Sequence, residues 1–269
     1  MKLITLMENT TTRDDFACEH GLSLYIEAGG LRILFDAGQT AAFADNAEKL
    51  GVDLSAVDLC VLSHGHYDHG GGIARFLEIN DHAPVYVSRH AFGDFYNAEG
   101  KFIGLDSALL AEDRIIFAGD NRELNEAVSL HSCPGFPEPC PSYPGGLSVE
   151  RKGQRIPDDF KHEQYLLIRE GEKRILISGC SHRGVMNIKT WFAPDLLIGG
   201  FHFMKLDPED RHDHVKLRAA ASALMQKDTV YYTGHCTGEK QYDVLKELMG
   251  DRLQRLSTGV SFDTASLWP

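Results

Sequence analysis

The chain has 269 residues, is 43% hydrophobic and carries a formal net charge of -12. That composition supplies apolar surface for a sizeable core and argues against general nucleic-acid binding, which needs clustered Lys and Arg, while leaving room for a phosphorylated small molecule held by metal ions and a few local cations. No stretch approaches the roughly 18 apolar residues of a membrane span, and residues 1–6 are too short and strand-like for a signal peptide, so a cytoplasmic protein with no membrane partner is expected.

Alternation and β-branched enrichment predict strands at 3–7, 22–27 and 31–35, the last two joined through Gly29 and Gly30. Phe43, Ala47 and Leu50 at helical spacing predict a helix over 40–50 that stops at Gly51. A strand buried on both faces is expected over 57–63, a helix over 73–79 with Phe76 and Leu77 inward, and a short strand at 85–88. Residues 91–113 are aromatic without a clean period and predict a loop and short-helix insertion near the mouth of a site. Residues 132–159 hold six of the ten prolines, which predicts a long irregular excursion of the kind used as a lid or binding loop. Strands are then expected at 165–169, 174–178, 196–198, 230–233, 253–257 and 260–262, with helices at 185–191, 211–226 and 240–249. Length alone does not decide the domain count, but no linker interrupts the chain, and the halves read as a loose duplication of sheet plus helices.

Between the strand at 57–63 and the helix that follows it, Ser63-His64-Gly65-His66-Tyr67-Asp68-His69-Gly70 packs three imidazoles and a carboxylate into six residues. A solvated loop has no reason to sit directly after an apolar strand and directly before Gly70, Gly71 and Gly72, so the run reads as a metal site. On a tight turn, His64 and His66 can face one ion while Asp68 and His69 face a second beside it. This donor mixture suits zinc, and also iron or manganese. The six cysteines form no Cys-x-x-Cys pair, so no zinc ribbon or thioredoxin-type site is indicated. Cys60 is expected in the core, and Cys133 and Cys140 flank a Pro-rich turn that could be bridged only under oxidation.

The motif resembles the His-x-His-x-Asp-His signature of the metallo-β-lactamase-fold hydrolases. The resemblance extends to Leu31-Arg32-Ile33-Leu34-Phe35-Asp36-Ala37-Gly38, where the family's Asp braces the metal loop. It continues through Gly179-Cys180-Ser181-His182, Gly199-Gly200-Phe201-His202 and Gly234-His235-Cys236-Thr237-Gly238, which resemble the branch that includes 7,8-dihydropterin-6-methyl-4-(β-D-ribofuranosyl)aminobenzene-5'-phosphate synthase. It implies an α/β fold, the αββα sandwich of two facing mixed β-sheets with outer helices, as one domain over 1–269 with insertions near 91–113 and 132–159. It also implies His235 as the last metal-binding histidine, and it marks a departure at Cys180, where the family commonly has an aspartate bridging two metals. A thiolate can bind zinc there, and His182, two residues on, is the more conventional ligand.

Glycines before His202 let the backbone approach a ligand closely, so His202 is a candidate metal ligand, phosphate contact, general acid or oxyanion donor. Glu19-His20-Gly21 precedes a strand expected to run toward the site, giving His20 a substrate-side position. His131 and His162 are the nearby candidates for a further family histidine, though neither has the expected context, and His82, His90, His212 and His214 read as surface residues. The metal set is therefore His64, His66, Asp68, His69, Cys180, His182 and His235, with Asp68 and His202 in catalytic roles and two Zn2+ ions as cofactor. The leading expectation is hydrolysis of a small anionic ester, more readily a phosphoester than a lactone or thioester, by a metal-activated hydroxide. A pterin-linked transferase and a non-catalytic ligand-binding protein are the alternatives, because one fold hosts many reactions.

Overall fold

The computed structural model describes residues 1–268. Strict alternation along the central strands divides their side chains between two sides. In Leu31–Phe35, Ile33 and Phe35 join a core between two sheets while Leu34 faces the opposite way. In Lys173–Ile177, Ile175 and Ile177 enter the same central core and Leu176 faces out. Leu196–Ile198 and Leu59–Val61 divide identically, so each sheet is buried on both faces, as parallel strands usually are.

The outer faces are covered by helices. Ala42–Lys49 and Ile73–Ile79 set Phe43, Ala47, Ile73 and Phe76 against the first sheet. Val185–Phe192, Arg211–Leu224 and Glu239–Met249 set Ile188, Leu217 and Leu245 against the second. The result is the αββα sandwich expected for the metallo-β-lactamase fold. None of its described helices is long and apolar enough to cross a membrane.

Each sheet has seven strands. The first runs Ser261–Asp263, Lys2–Met7, Ser23–Ala28, Leu31–Phe35, Leu59–Val61, Val85–Val87, Ile115–Phe117, antiparallel up to Leu31–Phe35 and parallel beyond it. The second runs Asn121–Glu123, Val128–His131, Tyr165–Glu170, Lys173–Ile177, Leu196–Ile198, Val230–Thr233, Leu253–Arg255, with the same switch after its fourth strand. The parallel strands of each half send their carboxyl ends to one edge, where ligand sites of such sheets are built. Asp36, the 63–70 run, Cys180, His202 and His235 all lie just beyond such ends.

Two features depart from the sequence expectation. Strands at Ile115–Phe117, Asn121–Glu123 and Val128–His131 are short and were not signalled by pattern. The excursion over 132–159 contains a hairpin, Ser148–Arg151 with Gln154–Pro157, turned by Lys152 and Gly153, both at positive φ as a two-residue turn demands. This hairpin pairs with Asp94–Tyr96 from the other insertion to form a three-stranded sheet. Phe95, Ile103 and Val149 pack beneath it against Tyr67 of the histidine-rich run.

Candidate metal centre

The strand Leu59–Val61 leads into the histidine-rich turn, whose tightness depends on glycine. A Cβ on Gly65 would lie 2.0 Å from the Ala91 carbonyl oxygen, and one on Gly72 would lie 2.1 Å from that of Ala37. Asp36, at the end of Leu31–Phe35, braces the turn. Its carboxylate accepts from the Ser63 backbone N–H at 2.7 Å, from Ser63 Oγ at 2.8 Å and from His69 Nδ1 at 2.6 Å. A carboxylate only accepts, so neutral His69 carries its proton on Nδ1 and presents an Nε2 lone pair. Ser63 Oγ gives its proton to Asp36 and therefore accepts from His64 Nδ1 at 2.8 Å. The Nε2 of His64 is thus also a lone pair.

Two further histidines arrive from the second half. His182 is held by Glu163, which accepts from the backbone N–H of His182 at 2.5 Å and of Arg183 at 3.2 Å and from Tyr165 Oη at 2.8 Å. Its ring stacks on Phe160 with centroids 4.7 Å apart. His235 follows Val230–Thr233; its backbone N–H donates to Glu8 and its Nδ1 lies 2.8 Å from Asn9 Oδ1. The Gly21 N–H donates to the same Asn9 oxygen at 3.3 Å, so His235 Nδ1 is the donor and its Nε2 is free.

These side chains meet in two places. His64 Nε2 lies 3.2 Å from His182 Nε2, and His69 Nε2 lies 3.1 Å from His235 Nε2. The second pair is 3.6 and 3.3 Å, respectively, from Asp68 Oδ2. The two acceptors of this second pair, His69 Nε2 and His235 Nε2, repel unless a cation lies between them. Two ligands with bonds of about 2.0–2.1 Å on a tetrahedral ion sit about 3.3 Å apart. The buried Nε2 of His66 and Nδ1 of His182 meet no hydrogen-bond partner among the described residues. Among the described residues, His64, His66 and His182 form one group able to hold a metal; Cys180 Sγ, 3.2 Å from His69 Nε2, lies beside both His64 and His69. The donor set therefore fits a divalent ion.

Electrostatics favour the neutral form of three of these imidazoles. Burial, with the neighbouring imidazoles, holds His64, His66 and His182 well below their ordinary pKa. Burial also pushes the Asp68 carboxyl up, but His69 and His235 outweigh it and keep the group well below the usual carboxylate range. Against burial, Asp36 and Asp68 raise His69. Burial and a contact with Cys236 push the Cys180 thiol well up, so a cation is needed to make it a thiolate ligand.

The cluster opens into a cavity of about 180 Å³. His66, Asp68, Cys180 and His182 line its polar side; Tyr67, Ile103, Leu147 and Met204 give it apolar walls. Asn97, Ala98 and Glu99 from one insertion and Pro144 and Gly145 from the other complete the rim with Lys205. His202 also faces it, at φ 56°, with Nδ1 donating to the Tyr143 carbonyl at 2.9 Å. That bond leaves the second nitrogen of neutral His202 as an acceptor, and burial pushes its pKa down to about 4.

All seven residues expected as ligands converge here. His162 is buried nearby, but its Nδ1 accepts from Gly65 N–H at 3.0 Å and its Nε2 meets Asp158 at 3.0 Å, so both nitrogens are used in bracing the turn. His131 points elsewhere, to Asn121 and Ser129. Asn9, Glu8 and Glu163 carried no motif signal; their roles arise from strand ends that only the fold brings together.

A profile of the metallo-β-lactamase superfamily matches residues 17–235. The chain is 29% identical to the 7,8-dihydropterin-6-methyl-4-(beta-D-ribofuranosyl)-aminobenzene-5'-phosphate synthase of Methanocaldococcus jannaschii, over 96% of this chain and 95% of that one. It is 28% identical to the uncharacterized protein MJ0448 of the same organism, over 91% and 94% respectively. The crystal structure of Tm1679, described as a metal-dependent hydrolase of the β-lactamase superfamily, superposes with a TM-score of 0.80 at 28% identity, covering 98% of both chains. With its signature run, its duplicated sandwich and its convergent imidazoles, the chain belongs to the metallo-β-lactamase superfamily.

Proposed function

We propose that the protein is a hydrolase of small anionic esters, with phosphoesters as the favoured class, that works with two divalent ions, zinc by donor type. The observation that carries this reading is the convergence of imidazole nitrogens from both halves, with the His69 and His235 lone pairs face to face, beside a small cavity rimmed by Lys205. His64, His66 and His182 would hold one ion, and Asp68, His69 and His235 the other, with Cys180 between them. Ions so held would make hydroxide available at neutral pH and would draw charge from an ester oxygen.

The remaining roles belong to the chain. Among the described residues Lys205 has no carboxylate within 4.0 Å, so its ammonium is available to a substrate anion at the rim. Asp68, an acceptor on the polar side, orients a water proton, and His202 offers a second acceptor. Tyr67, Ile103 and Leu147 exclude water from the apolar side of the substrate.

Similarity to the synthase across 96% of the chain favours one second reading, transfer of a dihydropterin group from a diphosphate to an aryl ribotide. Protein purified without added metal, analysed for metal content and offered both bis(4-nitrophenyl) phosphate and the pterin diphosphate–ribotide pair, separates the two. Chelator-sensitive phosphodiester hydrolysis supports the hydrolase. Condensation without hydrolysis overturns it in favour of the transferase.

A further inference from the structure

His20 lies beside the second donor group and lines the cavity, and with Asp68 and His235 it forms a trio close enough to share an ion. Hydrogen-bond accounting gives it a different task. The Asn9 side chain touches both histidines, with Oδ1 2.8 Å from His235 Nδ1 and Nδ2 3.2 Å from His20 Nδ1. Amide oxygen and nitrogen must be told apart by their partners. Here the Gly21 backbone N–H, which can only donate, meets the oxygen. The amide N–H therefore donates to His20 Nδ1, and in neutral His20 the proton must be on Nε2. That atom faces the Asp68 carboxylate at 3.4 Å, where an N–H is favourable and a second lone pair is not.

We propose that Asn9 sorts the two histidines into opposite tautomers, leaving His235 Nε2 as a lone pair for metal and making His20 Nε2–H a fixed hydrogen-bond donor to an anionic oxygen of the ligand in the cavity. His20 contacts the ligand; Asn9 is a positioning residue. The inference rests on the reading of this cavity as the place where an anionic ester binds. It supplies that site with a donor outside the metal ligand set, on the segment that precedes Ser23–Ala28. No change of tautomer is needed when the ligand arrives.

Two measurements on zinc-loaded protein test it, neither using turnover. The first is long-range 1H–15N NMR of the imidazoles, with the His20 signals assigned by their loss in His20→Leu. The expected pattern is protonation at Nε2 in the wild type and at Nδ1 in Asn9→Asp, whose carboxylate can only accept. The second is binding of inorganic phosphate, expected to weaken about tenfold or more in His20→Leu and in Asn9→Asp while His20→Gln, which keeps a neutral donor, stays within about threefold. Protonation of wild-type His20 at Nδ1, loss of a metal equivalent in His20→Leu, or equal phosphate affinity in wild type and His20→Leu would each overturn the proposal. Failure of the hydrolase reading would instead appear as absent ester turnover, leaving these two readouts unchanged.

Discussion

One carboxylate governs two imidazoles on the first turn. Asp36 accepts from Ser63 and His69, and through the Ser63 hydroxyl it also sets the tautomer of His64. In Asp36→Asn the amide cannot accept from all three donors, so at least one imidazole loses its orientation. Metal affinity is expected to fall about 10–100-fold, as for other groups that orient metal-binding histidines, with folding retained. Competition against a chromophoric chelator measures this, and unchanged affinity would remove Asp36 from the account. His64, His66, Asp68 and His69 were legible in the sequence because their spacing is local. His182 was legible from its place two residues after Cys180. The bracing role of His162 was not, since it depends on Asp158 and on Gly65 from a loop distant in sequence.

At the scale of elements, the glycines of the signature run are steric requirements. Adding a methyl group at Gly65 puts carbon 2.0 Å from the Ala91 oxygen, and backbone on both sides must move. Gly65→Ala should therefore cost about 1–3 kcal/mol of stability by overpacking and lower metal occupancy as well, read by urea denaturation and metal analysis of the same sample. A loss of stability with full occupancy would mean that the turn tolerates displacement. The central strands could be read from their alternation, and their helices from apolar spacing. The small sheet over the site could not, because its pairing joins Asp94–Tyr96 to Ser148–Arg151 across some fifty residues of chain. Its hairpin did have a local cue in Lys152-Gly153 between short alternating runs, which the surrounding prolines obscured.

For the molecule as a whole, the duplicated sandwich should stand without its metal. Ile168, fully buried between the sheets, belongs to that common core. Ile168→Ala is expected to cost about 2–5 kcal/mol in urea denaturation while leaving metal content intact, the reverse of the Asp36→Asn result. The metal-free protein should also be acid-sensitive. His64, His66 and His182 are held below the ordinary imidazole value of 6.5, so on acidification the unfolded chain takes up their protons first. The stability they provide is present above pH 6.5 and drains away as pH falls through their folded values. His202 and His20, both lowered to about 4, act in the same sense, whereas His69, raised by Asp36 and Asp68 against burial, acts above pH 6.5: its contribution is complete below that value and is lost as pH rises through its folded value. The melting temperature of metal-free protein should fall as pH drops below about 6.5; a rise on acidification below that value would contradict this balance.

The central claim, that two groups of side chains from the two halves hold two ions, is tested most directly by anomalous diffraction at the zinc edge from crystals of zinc-loaded protein. The account predicts one anomalous peak bounded by His64, His66 and His182 and a second bounded by Asp68, His69 and His235, with Cys180 adjoining both. A peak absent from either group, or the side chains of either group diverging to solvent in a fully loaded crystal, would contradict it.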